Sequence, residues 1–516
     1  MAELLLSHAE NRPDEPALVD DWGATSWADL NARTNQLISV LRGLGLGVGD
    51  AIAIHSGNRR EYFELMSAAS HAGLRYVLVN WHWTADELRY VLQDSGAIVL
   101  FSEDRFADVA LEAVGGADLR ALVALGGDIP EFTPYEEFLA GGSAEEPADQ
   151  SLGVPMIYTS GTTGRPKGVS RTMLSPGAPV ITIQLIGDVF AQMFSIPEGG
   201  RSLLVGPVYH SAQWLWSYGF LNVGRSVVMR QSWDPAEALE LIDEYKITNV
   251  HLVPTQFVRL LRLPEETRAG FDGSSLAAVW HGAAPCSPEI KRQMIDWFGP
   301  VVHEYYGSTE ASVNTIVSSE EWLKKPGTVG RPLPITEVHV LLPDGTPAAP
   351  GEHGQIWFRY ASGDKVEYWG DQEKTKSIHR ADGLFTTGDI GYFDEDGYLF
   401  LADRVIDMII SGGVNIYPAE IEGVLIMHPA VRDVAVFGVP DEEFGEQVKA
   451  AVELSHGVDA TGELAEELIA HTRSSLAGYK VPRTIDFVDE MPRTPTGKLY
   501  KRLLRDPYWA EKGKAI

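Results

Sequence analysis

The chain has 516 residues, of which 44% are hydrophobic and 22% charged, and its formal net charge at pH 7 is -30. This composition excludes fibrous and disordered classes of protein and allows several globular domains with large cores. The acidic balance argues against a nucleic-acid partner, because binding along a phosphate backbone needs a basic surface.

The first and most apolar segments bear on where the protein works. The N-terminal sequence MAELLLSHAENRPDEP lacks the basic segment and long apolar run of a signal peptide. Residues 178–196 are the best candidate for a membrane span, but Gln184, Asp188 and Gln192 interrupt them. The sequence therefore predicts a buried helix and no transmembrane segment. The single cysteine, Cys286, excludes an intramolecular disulfide framework, so we expect a cytoplasmic protein.

The first hundred residues alternate helical patterns with short apolar strands. Predicted helices begin at Trp27, Arg59 and Thr84, and predicted strands begin at Ala51, Tyr76 and Ala97. This alternation predicts a parallel sheet covered by helices. An acidic, loop-rich stretch at 141–149 separates this region from the next.

Between Ser202 and Glu310 the alternation is more regular still and predicts a second parallel sheet. Its strands are SLLVGPVYH, SVVMRQ, TNVHLVPT, LAAVWHGAAP and VVHEYYGSTE, and its predicted helices cover 211–221, 234–245, a segment from Gln256, and 287–298. In open parallel sheets, ligands bind beyond the carboxyl ends of the strands. We therefore expect four strand-end clusters to share one crevice: residues 209–210, Thr255, residues 282–285 and residues 306–310.

After Arg331 the pattern changes to β segments separated by turns, which predicts a β subdomain. From Val405 onward a helix from Pro418, strands near 434 and 448, a helix at 462–476 and a strand near 485 predict a compact α+β unit. The expected fold is α/β, with a large N-terminal domain (1–403) of two parallel-sheet subdomains plus a β subdomain. A small α+β domain (404–516) follows it.

The sequence IYTSGTTGRPKGV, residues 157–169, has the character of a phosphate-binding loop. Its glycines let the backbone approach a ligand, and its hydroxyls, N–H groups and lysine can surround phosphate oxygens. The spacing differs from that of a Walker P-loop, and a flexible surface loop is the alternative. The candidate phosphate-binding residues are Thr159, Ser160, Gly161, Thr162, Thr163, Gly164 and Lys167.

Three other motifs carry candidate ligand-binding side chains. In YYGSTE, Tyr306 can stack on a base and Glu310 can bind magnesium, although each can also be an ordinary surface residue. In TTGDIG, Asp389 suits a pair of ribose hydroxyls, or it satisfies its own turn. PRTPTGKLYKRLLR is a basic segment in an acidic chain. Its turn favours presentation of Lys498 to a developing negative charge, with a solvated basic tail as the alternative.

The motifs YTSGTTGRPKG, YGSTE, TGD, DRVIDMIISGGVNIYP and PTGK, in this order, resemble those of the adenylate-forming superfamily. This superfamily contains acyl-CoA synthetases, peptide-synthetase adenylation domains and luciferases. The resemblance covers essentially the whole chain and implies a mobile C-terminal domain. It also implies two reaction steps with ATP, Mg2+ and coenzyme A: a carboxylate attacks the α-phosphorus to give acyl-adenylate and pyrophosphate, and a thiol then displaces AMP.

The resemblance implies a role for each matching residue. Lys498 would stabilise the adenylation transition state, and Thr162 or Thr163 would assist Glu310 at the magnesium ion. Asp389 and Arg404 would hold the ribose. Gly412 and Gly413 would line the pantetheine tunnel, a glycine turn before a helix being the alternative. The adenine would be framed by Gly282, Ala283, Ala284, Pro285 and Tyr306, with Gly307, Ser308 and Thr309 in the adjoining turn.

Two positions raise questions about this assignment. Ile406 stands at the hinge position where the family often has Asp or Lys. His210 stands where the family often places a histidine or aromatic residue between acyl pocket and thiol tunnel, although a lone histidine at a strand end is commonly a satisfied polar residue. Cys286 is expected to be a small buried residue, because coenzyme A would bring its own sulfur.

The segment around His210 bears on the class of acid. Residues 209–216, which include Gln213, Trp214 and Trp216, either line an acyl pocket or pack a helix, and they carry no charge. An apolar acyl chain or ring is therefore expected. A medium or long aliphatic acid is preferred, while aromatic and steroid-side-chain acids also fit.

Three classes of function follow. The preferred one is an acyl-CoA ligase, because SGGVNIYP matches the members that use coenzyme A and because the chain ends at Ile516 without a fused carrier domain. The second is a stand-alone enzyme that loads an acyl-carrier protein. The third is a non-catalytic sensor, against which the presence of Lys167, Glu310 and Lys498 counts; a luciferase-like oxygenation is a remote fourth. A homodimer is compatible with the sequence but not specified by it.

Overall fold

The computed structural model describes residues 4–159, 165–172, 174–404, 407–412, 414–493 and 499–510. Its strands, numbered in chain order, are β1 (Pro16–Asp20), β2 (Gly23–Ser26), β3 (Ala51–His55), β4 (Arg75–Leu78), β5 (Ala97–Glu103), β6 (Ala121–Leu125), β7 (Thr133–Pro134), β8 (Val154–Thr159), β9 (Lys167–Arg171), β10 (Arg201–Leu204), β11 (Ser226–Met229), β12 (Asn249–Leu252), β13 (Ala278–His281), β14 (Val302–Ser308), β15 (Ser312–Val317), β16 (Thr328–Pro332), β17 (Thr336–Leu341), β18 (Gly354–Tyr360), β19 (Val366–Tyr368), β20 (Asp389–Phe393), β21 (Leu399–Arg404), β22 (Ile409–Ser411), β23 (Val414–Ile416), β24 (Val431–Asp441), β25 (Gly445–Leu454) and β26 (Thr484–Val488).

The helices are α1 (Leu4–Asn11), α2 (Trp27–Gly43), α3 (Arg60–His71), α4 (Ala85–Ser95), α5 (Ala107–Ala113), α6 (Tyr135–Ala140), α7 (Ile181–Met193), α8 (Ser211–Trp214), α9 (Pro235–Glu244), α10 (Pro254–Leu261), α11 (Glu265–Gly270), α12 (Pro288–Phe298), α13 (Ser319–Lys324), α14 (Gln372–Ile378), α15 (Pro418–Leu425), α16 (Gly462–Ser475) and α17 (Lys501–Ala510). A short π-helix, Leu215–Gly219, continues directly from α8, and 3-10 turns span Asp104–Phe106 and Gly478–Lys480.

The first sheet has the strand order β19-β9-β8-β4-β3-β5-β6-β7, and its strands from β8 to β7 run parallel. Helices return the chain between the strands, as predicted. In α4, the Thr84 side chain and Glu87 form a capping box at the start, and Gly96 ends the helix with φ 66°. Every residue of β3 is buried, as expected of a central strand with helices on both faces.

The second sheet runs β17-β18-β20-β21-β16-β15-β14-β13-β12-β10-β11-β1-β2. Its parallel part contains β1, β11, β10, β12, β13 and β14, and the antiparallel strands after β14 form the predicted β subdomain, joined to the rest through β16. The strand predicted from Ser202 is shorter than expected. It ends at Leu204. A hydrogen bond from Val208 N to Asn58 Oδ1, 3.0 Å long, fixes the loop that follows.

Helix α7 contradicts the prediction of a buried helix at 178–196. Only Gly187 and Ala191 of this helix are buried, whereas Leu185 is 59% exposed and Val189 is 53% exposed. The outward face repeats every three to four residues and includes the exposed Asp188, so one side of the helix meets water while the other packs on the protein. No helix in the described part of the chain is long and apolar enough to cross a bilayer.

The C-terminal unit has its own sheet, β23-β22-β25-β24, with β26 beside β25. Helices α15 and α16 cover a core that contains Ile421, Val436 and Leu468. This unit meets the larger one where Arg262 donates hydrogen bonds to the carbonyls of Val431 (2.6 Å) and Arg432 (3.2 Å). The α/β fold, with a large N-terminal part that contains two sheets and a small C-terminal unit, is confirmed. Strand β21 is the last strand of the second sheet along the chain, and β22 is the first strand of the C-terminal sheet.

Candidate active site

A single deep cleft lies at the carboxyl ends of β10, β12, β13 and β14. These strands are neighbours in that order and run parallel, so the chain segments that follow them meet at one edge of the sheet. The cleft has a volume of about 3670 Å³, and all four predicted strand-end clusters line it. Residues from β8, β9 and the C-terminal unit form the opposite walls.

The strands on either side of the predicted phosphate loop pair with each other, and Thr159 and Lys167 line the cleft. Strands β8 and β9 are antiparallel, and Thr159 pairs with Lys167 where they end. Lys167 Nζ lies 3.3 Å from Asp371 Oδ2 and 5.8 Å from the centre of the Tyr368 ring. The predicted loop residues Ser160, Gly161, Thr162, Thr163 and Gly164 lie outside the described residues.

Glu310 presents its carboxylate to the same region. Tyr368 donates a hydrogen bond to Glu310 Oε1 at 3.2 Å, and Thr159 Oγ1 lies 3.5 Å from that oxygen. Within the described ranges, no lysine, arginine or histidine forms an ion pair with this carboxylate. Mg2+ prefers oxygen ligands and is commonly held by one or two carboxylates together with substrate phosphates. Glu310 therefore fits the predicted ion, while its predicted partner, Thr162 or Thr163, lies outside the described residues.

The predicted adenine-binding turn follows β13 directly. The backbone of Ala283 has φ 65°, a left-handed conformation that residues other than glycine seldom adopt. A Cβ atom on Gly282 would lie 2.6 Å from Cε1 of Tyr305, so only glycine allows this close packing. Gly282, Ala283, Ala284 and Pro285 all line the cleft.

Tyr306 and Asp389 are brought together from distant parts of the chain. Tyr306 donates a hydrogen bond to Asp389 Oδ2 at 2.6 Å, and Thr387 Oγ1 donates to the same oxygen at 2.7 Å. Arg404 lies opposite Asp389 in the register of β20 and β21. The candidate ribose carboxylate is thus held by two hydroxyl groups before any ligand binds.

The last residues of β14 include a further glycine, at an irregularity in the pairing of β14 with β15. A Cβ on Gly307 would lie 1.9 Å from the Ser312 carbonyl oxygen. Ser308 Oγ accepts a hydrogen bond from the Ala311 N–H at 2.9 Å, and Thr309 Oγ1 lies 3.0 Å from Ser211 Oγ. The last contact ties the predicted nucleotide-binding turn to α8, which follows His210.

His210 caps the start of α8 and faces the cleft. Its ring lies 4.2 Å from that of Tyr209, and its buried Nε2 has no hydrogen-bond partner in the part of the chain that the structure describes. Burial lowers the pKa of His210 to about 3, with His82 as a second cause, so the ring is neutral near pH 7. This unpaired nitrogen argues against the alternative of a satisfied polar residue.

Trp216 and Tyr305 form a pair of buried aromatic rings, here called the aromatic wall, that lines the cleft. The sequence did not predict this pair. The rings of Trp216 and Tyr305 stack with centres 4.8 Å apart. Tyr305 Oη lies 3.0 Å from His251 Nε2, and His251 Nδ1 lies 3.0 Å from Gln213 Nε2. Gln213 and Trp216 therefore pack within the protein and also line the cleft, and their role in an acyl pocket stays a prediction.

The second feature that the sequence did not predict is the segment EYWGD, which supplies Tyr368 and Asp371. Asp371 caps α14 by accepting the Lys374 N–H at 2.8 Å. An aspartate before a helical pattern is a recognisable cap signal, but its contact with Lys167 depends on the tertiary fold. A cap alone does not indicate a ligand-binding role.

A buried ion pair lies near Cys286, the residue that follows the predicted adenine-binding turn. Lys291 Nζ and Glu304 Oε2 lie 2.7 Å apart, and Lys291 also lies 4.8 Å from the centre of the Trp322 ring. Burial raises the pKa of the nearby Cys286 thiol well above its usual range. An uncharged thiol is a poor nucleophile, which agrees with the expected non-catalytic role of Cys286, although this residue is only partly buried.

In the C-terminal unit, Gly412 has φ 58°, and its N–H donates to the Phe444 carbonyl at 2.8 Å. A Cβ there would lie 3.0 Å from Phe444 Cδ1, so a glycine suits this turn. Gly413 and Lys498, the predicted tunnel and catalytic residues, lie outside the described ranges, as does Ile406.

Known proteins match the chain along nearly its whole length. Residues 5–363 match the family described as AMP-binding enzyme, and residues 420–498 match the AMP-binding enzyme C-terminal domain. A feruloyl-CoA synthase of Amycolatopsis sp. is 34% identical over 96% of this chain and 96% of the relative. The fatty acid–[acyl-carrier-protein] ligase ScoC of Streptomyces coeruleorubidus is 32% identical over 99% of this chain and 96% of the relative. The solved structure of ATP-bound MatB from Rhodopseudomonas palustris has a TM-score of 0.81 at 29% identity, covering 98% of this chain and 99% of that one.

Proposed function

Because this chain belongs to the AMP-binding enzyme family of the adenylate-forming superfamily, we propose that it is an ATP-dependent acyl-CoA ligase for a hydrophobic carboxylic acid. One observation carries the proposal. Lys167, Glu310 and the hydrogen-bonded pair of Tyr306 and Asp389 come from distant parts of the chain and line one cleft. A lysine, a carboxylate without an ion-pair partner among the described residues and a fixed ribose acceptor are groups suited to binding and activating a nucleoside triphosphate.

In the first step, a carboxylate oxygen of the acid attacks the α-phosphorus of ATP. The new O–P bond forms as the bond to the pyrophosphate oxygen breaks, and acyl-adenylate and pyrophosphate result. Lys167 and Thr159 hold phosphate oxygens, residues 282–285 and Tyr306 enclose the adenine, and Asp389 accepts from the ribose. Catalysis comes from positioning and from neutralising charge, so no protein nucleophile takes part.

Two further charges complete this step. Glu310 would hold Mg2+, which when bound neutralises charge on the phosphates. Lys498 is proposed to bring its ammonium to the negative charge that develops at the α-phosphate. His210, neutral at pH 7, is proposed to separate the acid from the path of the thiol rather than to supply a charge.

In the second step, the thiol of coenzyme A attacks the acyl carbon. A C–S bond forms, the C–O bond to AMP breaks, and the thiol proton passes to solvent. The turn at Gly412 and Gly413 is proposed to line the pantetheine path. Similarity to a feruloyl-CoA synthase supports coenzyme A as the acceptor, and similarity to ScoC makes carrier-protein loading the second candidate.

The acid itself is proposed to be uncharged beyond its carboxylate. Tyr209, Gln213, Trp214 and Trp216 line the cleft without a charged side chain among them. This supports a medium or long aliphatic acid, as the sequence favours, with aromatic and steroid-side-chain acids as alternatives.

The experiment supplies purified protein with ATP, Mg2+ and a panel of aliphatic, aromatic and steroid-side-chain acids, with either coenzyme A or a phosphopantetheinylated carrier protein. AMP and thioester are measured by chromatography. We expect thioester formation with coenzyme A to exceed that with the carrier by at least about tenfold in rate, which corresponds to roughly 1.4 kcal/mol. Thioester on the carrier alone would establish the second candidate, and the absence of AMP with every acid would exclude both.

A further inference from the structure

Residues of α7 and of the segment after His210 both line the cleft, and this part of the lining is here called the branch. It is largely apolar and includes Ile183, Ile186 and Phe190 of α7, with Leu215 from the π-helix. The two segments approach closely because Gly187 has no side chain: a Cβ there would lie 2.7 Å from Val223 Cγ1 and 3.2 Å from the Gly219 carbonyl. Such a branch suits the apolar part of an organic acid.

Polar side chains also line this part of the cleft. They are Ser70, Tyr76, Trp214, Tyr218 and Asn222, all of them uncharged. The Tyr218 ring lies 6.0 Å from that of Trp214 and 6.2 Å from that of Tyr76. These five residues, here called the polar cluster, give an otherwise apolar branch one region that can form hydrogen bonds.

Several atoms of the polar cluster are buried without a partner. Tyr218 is 1% exposed and Asn222 is 2% exposed. Tyr218 Oη, Asn222 Oδ1 and Trp214 Nε1 form no hydrogen bond of normal geometry with the described residues. Ser67, Ser70 and Asn222 lie near the Tyr218 hydroxyl, and Tyr76 lies near Trp214, close enough only for weaker contacts. Buried polar atoms are nearly always paired, because leaving one unpaired costs about 1–3 kcal/mol. A ligand or an ordered water would supply these atoms with partners of normal geometry.

The hydrogen-bonding capacity of these atoms restricts the ligand. Asn222 Nδ2 already donates to the Tyr218 carbonyl at 2.9 Å, which leaves Oδ1 as an acceptor. Burial raises the pKa of Tyr218 to about 12, so its hydroxyl keeps its proton at pH 7, and the indole N–H of Trp214 is a donor. Two donors and one acceptor with no charge match a hydroxyl group, which accepts and donates, whereas an ether or carbonyl oxygen would leave Oδ1 without a donor. The cluster does not compensate the charge of a second carboxylate.

The position of the cluster along the chain orients the acid. Tyr218, in the π-helix, follows His210 by eight residues, and α8 lies between them. His210 lies beside Thr309 and the nucleotide-binding turn through the contact of Thr309 with Ser211. The carboxylate therefore belongs at the His210 end and the far end of the acid at Tyr218.

We infer that the acid carries an uncharged oxygen function at the end remote from its carboxylate, and that the polar cluster binds this oxygen. The inference rests on the proposed acid activation and narrows its substrate class. An oxygenated aryl acid and an ω-oxygenated aliphatic acid share this chemistry. Ordered water is the alternative occupant of the cluster. If water occupies it, plain and oxygenated acids should have equal kcat/KM.

The test compares two pairs of acids that differ by one hydroxyl: 4-hydroxycinnamate against cinnamate, and 10-hydroxydecanoate against decanoate. The kcat/KM of each is measured with ATP, Mg2+ and coenzyme A. In at least one pair, we expect the hydroxylated acid to be preferred about tenfold or more, because the plain acid leaves the cluster unpaired. The pair that shows the preference identifies the aryl or the aliphatic source.

Tyr218→Phe removes only the hydroxyl. We expect the ratio of kcat/KM for the hydroxylated acid to kcat/KM for the plain acid to fall close to one in this variant, mainly because the KM for the hydroxylated acid rises. Tyr245→Phe, remote from the cleft, is the matched control and should keep the wild-type preference. Equal kcat/KM within both pairs, or a preference that survives in Tyr218→Phe, would overturn the inference while leaving the ligase activity established. Failure of every acid to release AMP would instead remove the proposed function on which the inference rests.

Discussion

Asp389 is the residue at which the ribose assignment can be tested most cleanly. Its Oδ2 accepts from both Tyr306 and Thr387, so the carboxylate is already oriented in the cleft. Asp389→Asn keeps the size but replaces an acceptor oxygen with a donor that would face the tyrosine hydroxyl. We expect the KM for ATP to rise about tenfold to a hundredfold, since charge-assisted hydrogen bonds contribute about 1.5–3 kcal/mol.

Steady-state kinetics at varied ATP concentration measures this effect. Asp396→Asn, at an exposed turn of the same subdomain, is the control and should leave the KM for ATP unchanged. An unaltered KM in Asp389→Asn would remove the ribose-binding role.

His251 gives a residue-scale prediction about pH. Burial lowers its pKa to about 3, whereas the unfolded chain has the ordinary value near 6.5. Between these values the unfolded state binds more protons than the folded state. The contribution of His251 to the free energy of unfolding therefore falls as the pH drops below about 6.5.

His251→Gln removes this titration, so the melting temperature of the variant should fall less than that of wild type between pH 7 and pH 5. Calorimetry at both values provides the comparison, and the exposed His339→Gln serves as control. Identical pH dependence in His251→Gln and wild type would contradict a buried, neutral His251.

At the scale of elements, the contact between α7 and the π-helix depends on Gly187. A Cβ at this position would lie 2.7 Å from Val223 Cγ1, closer than packed atoms allow. We expect Gly187→Ala to lower stability by about 1 kcal/mol, since overpacking costs about 1–3 kcal/mol and the gain in helix propensity offsets part of it.

Gly423→Ala in α15 is the matched control, because a Cβ there meets no atom within 4 Å. It should raise stability by about 0.5–1 kcal/mol. Thermal unfolding of both variants measures the difference, and a stabilised Gly187→Ala would show that the two segments are not in tight contact.

The sequence pattern predicted helices and strands such as β3 and α9, but it did not predict how deeply each element is buried. Strand β3 and helix α9 were predictable because a short apolar run and an Asp-Pro cap are local signals. The extent to which α7 is buried was not predictable, because the apolar content of a helix does not tell which of its faces packs against the protein.

The same division holds within the site. Tyr306 and Asp389 were each recognisable from a short motif, but their hydrogen bond joins residues 83 positions apart. The contact of Lys167 with Asp371 spans 204 positions. The wall of Trp216 and Tyr305, like the polar cluster, depends on such long-range packing and has no local signature.

At the scale of the whole molecule, Arg262 connects the large unit to the C-terminal unit. Its guanidinium donates to the carbonyls of Val431 and Arg432. Arg262→Ala should weaken this docking, so we expect faster amide exchange around residues 431–432, measured by hydrogen–deuterium exchange and mass spectrometry.

Arg120→Ala is the control, since Arg120 also donates to two carbonyls, those of Leu44 and Gly45, but within the large unit. It should leave exchange at 431–432 unchanged. Unaltered exchange there in Arg262→Ala would mean that this contact does not hold the two units together.

The central claim is that the cleft activates a carboxylic acid on the α-phosphate of ATP, and exchange of labelled pyrophosphate into ATP tests it most directly. With Mg2+, a suitable acid and no thiol, the wild-type protein should catalyse acid-dependent exchange, and Lys498→Ala should lose most of it while still making thioester from supplied acyl-adenylate and coenzyme A. Acid-independent exchange, or none with any acid in the panel from a folded protein, would contradict the account.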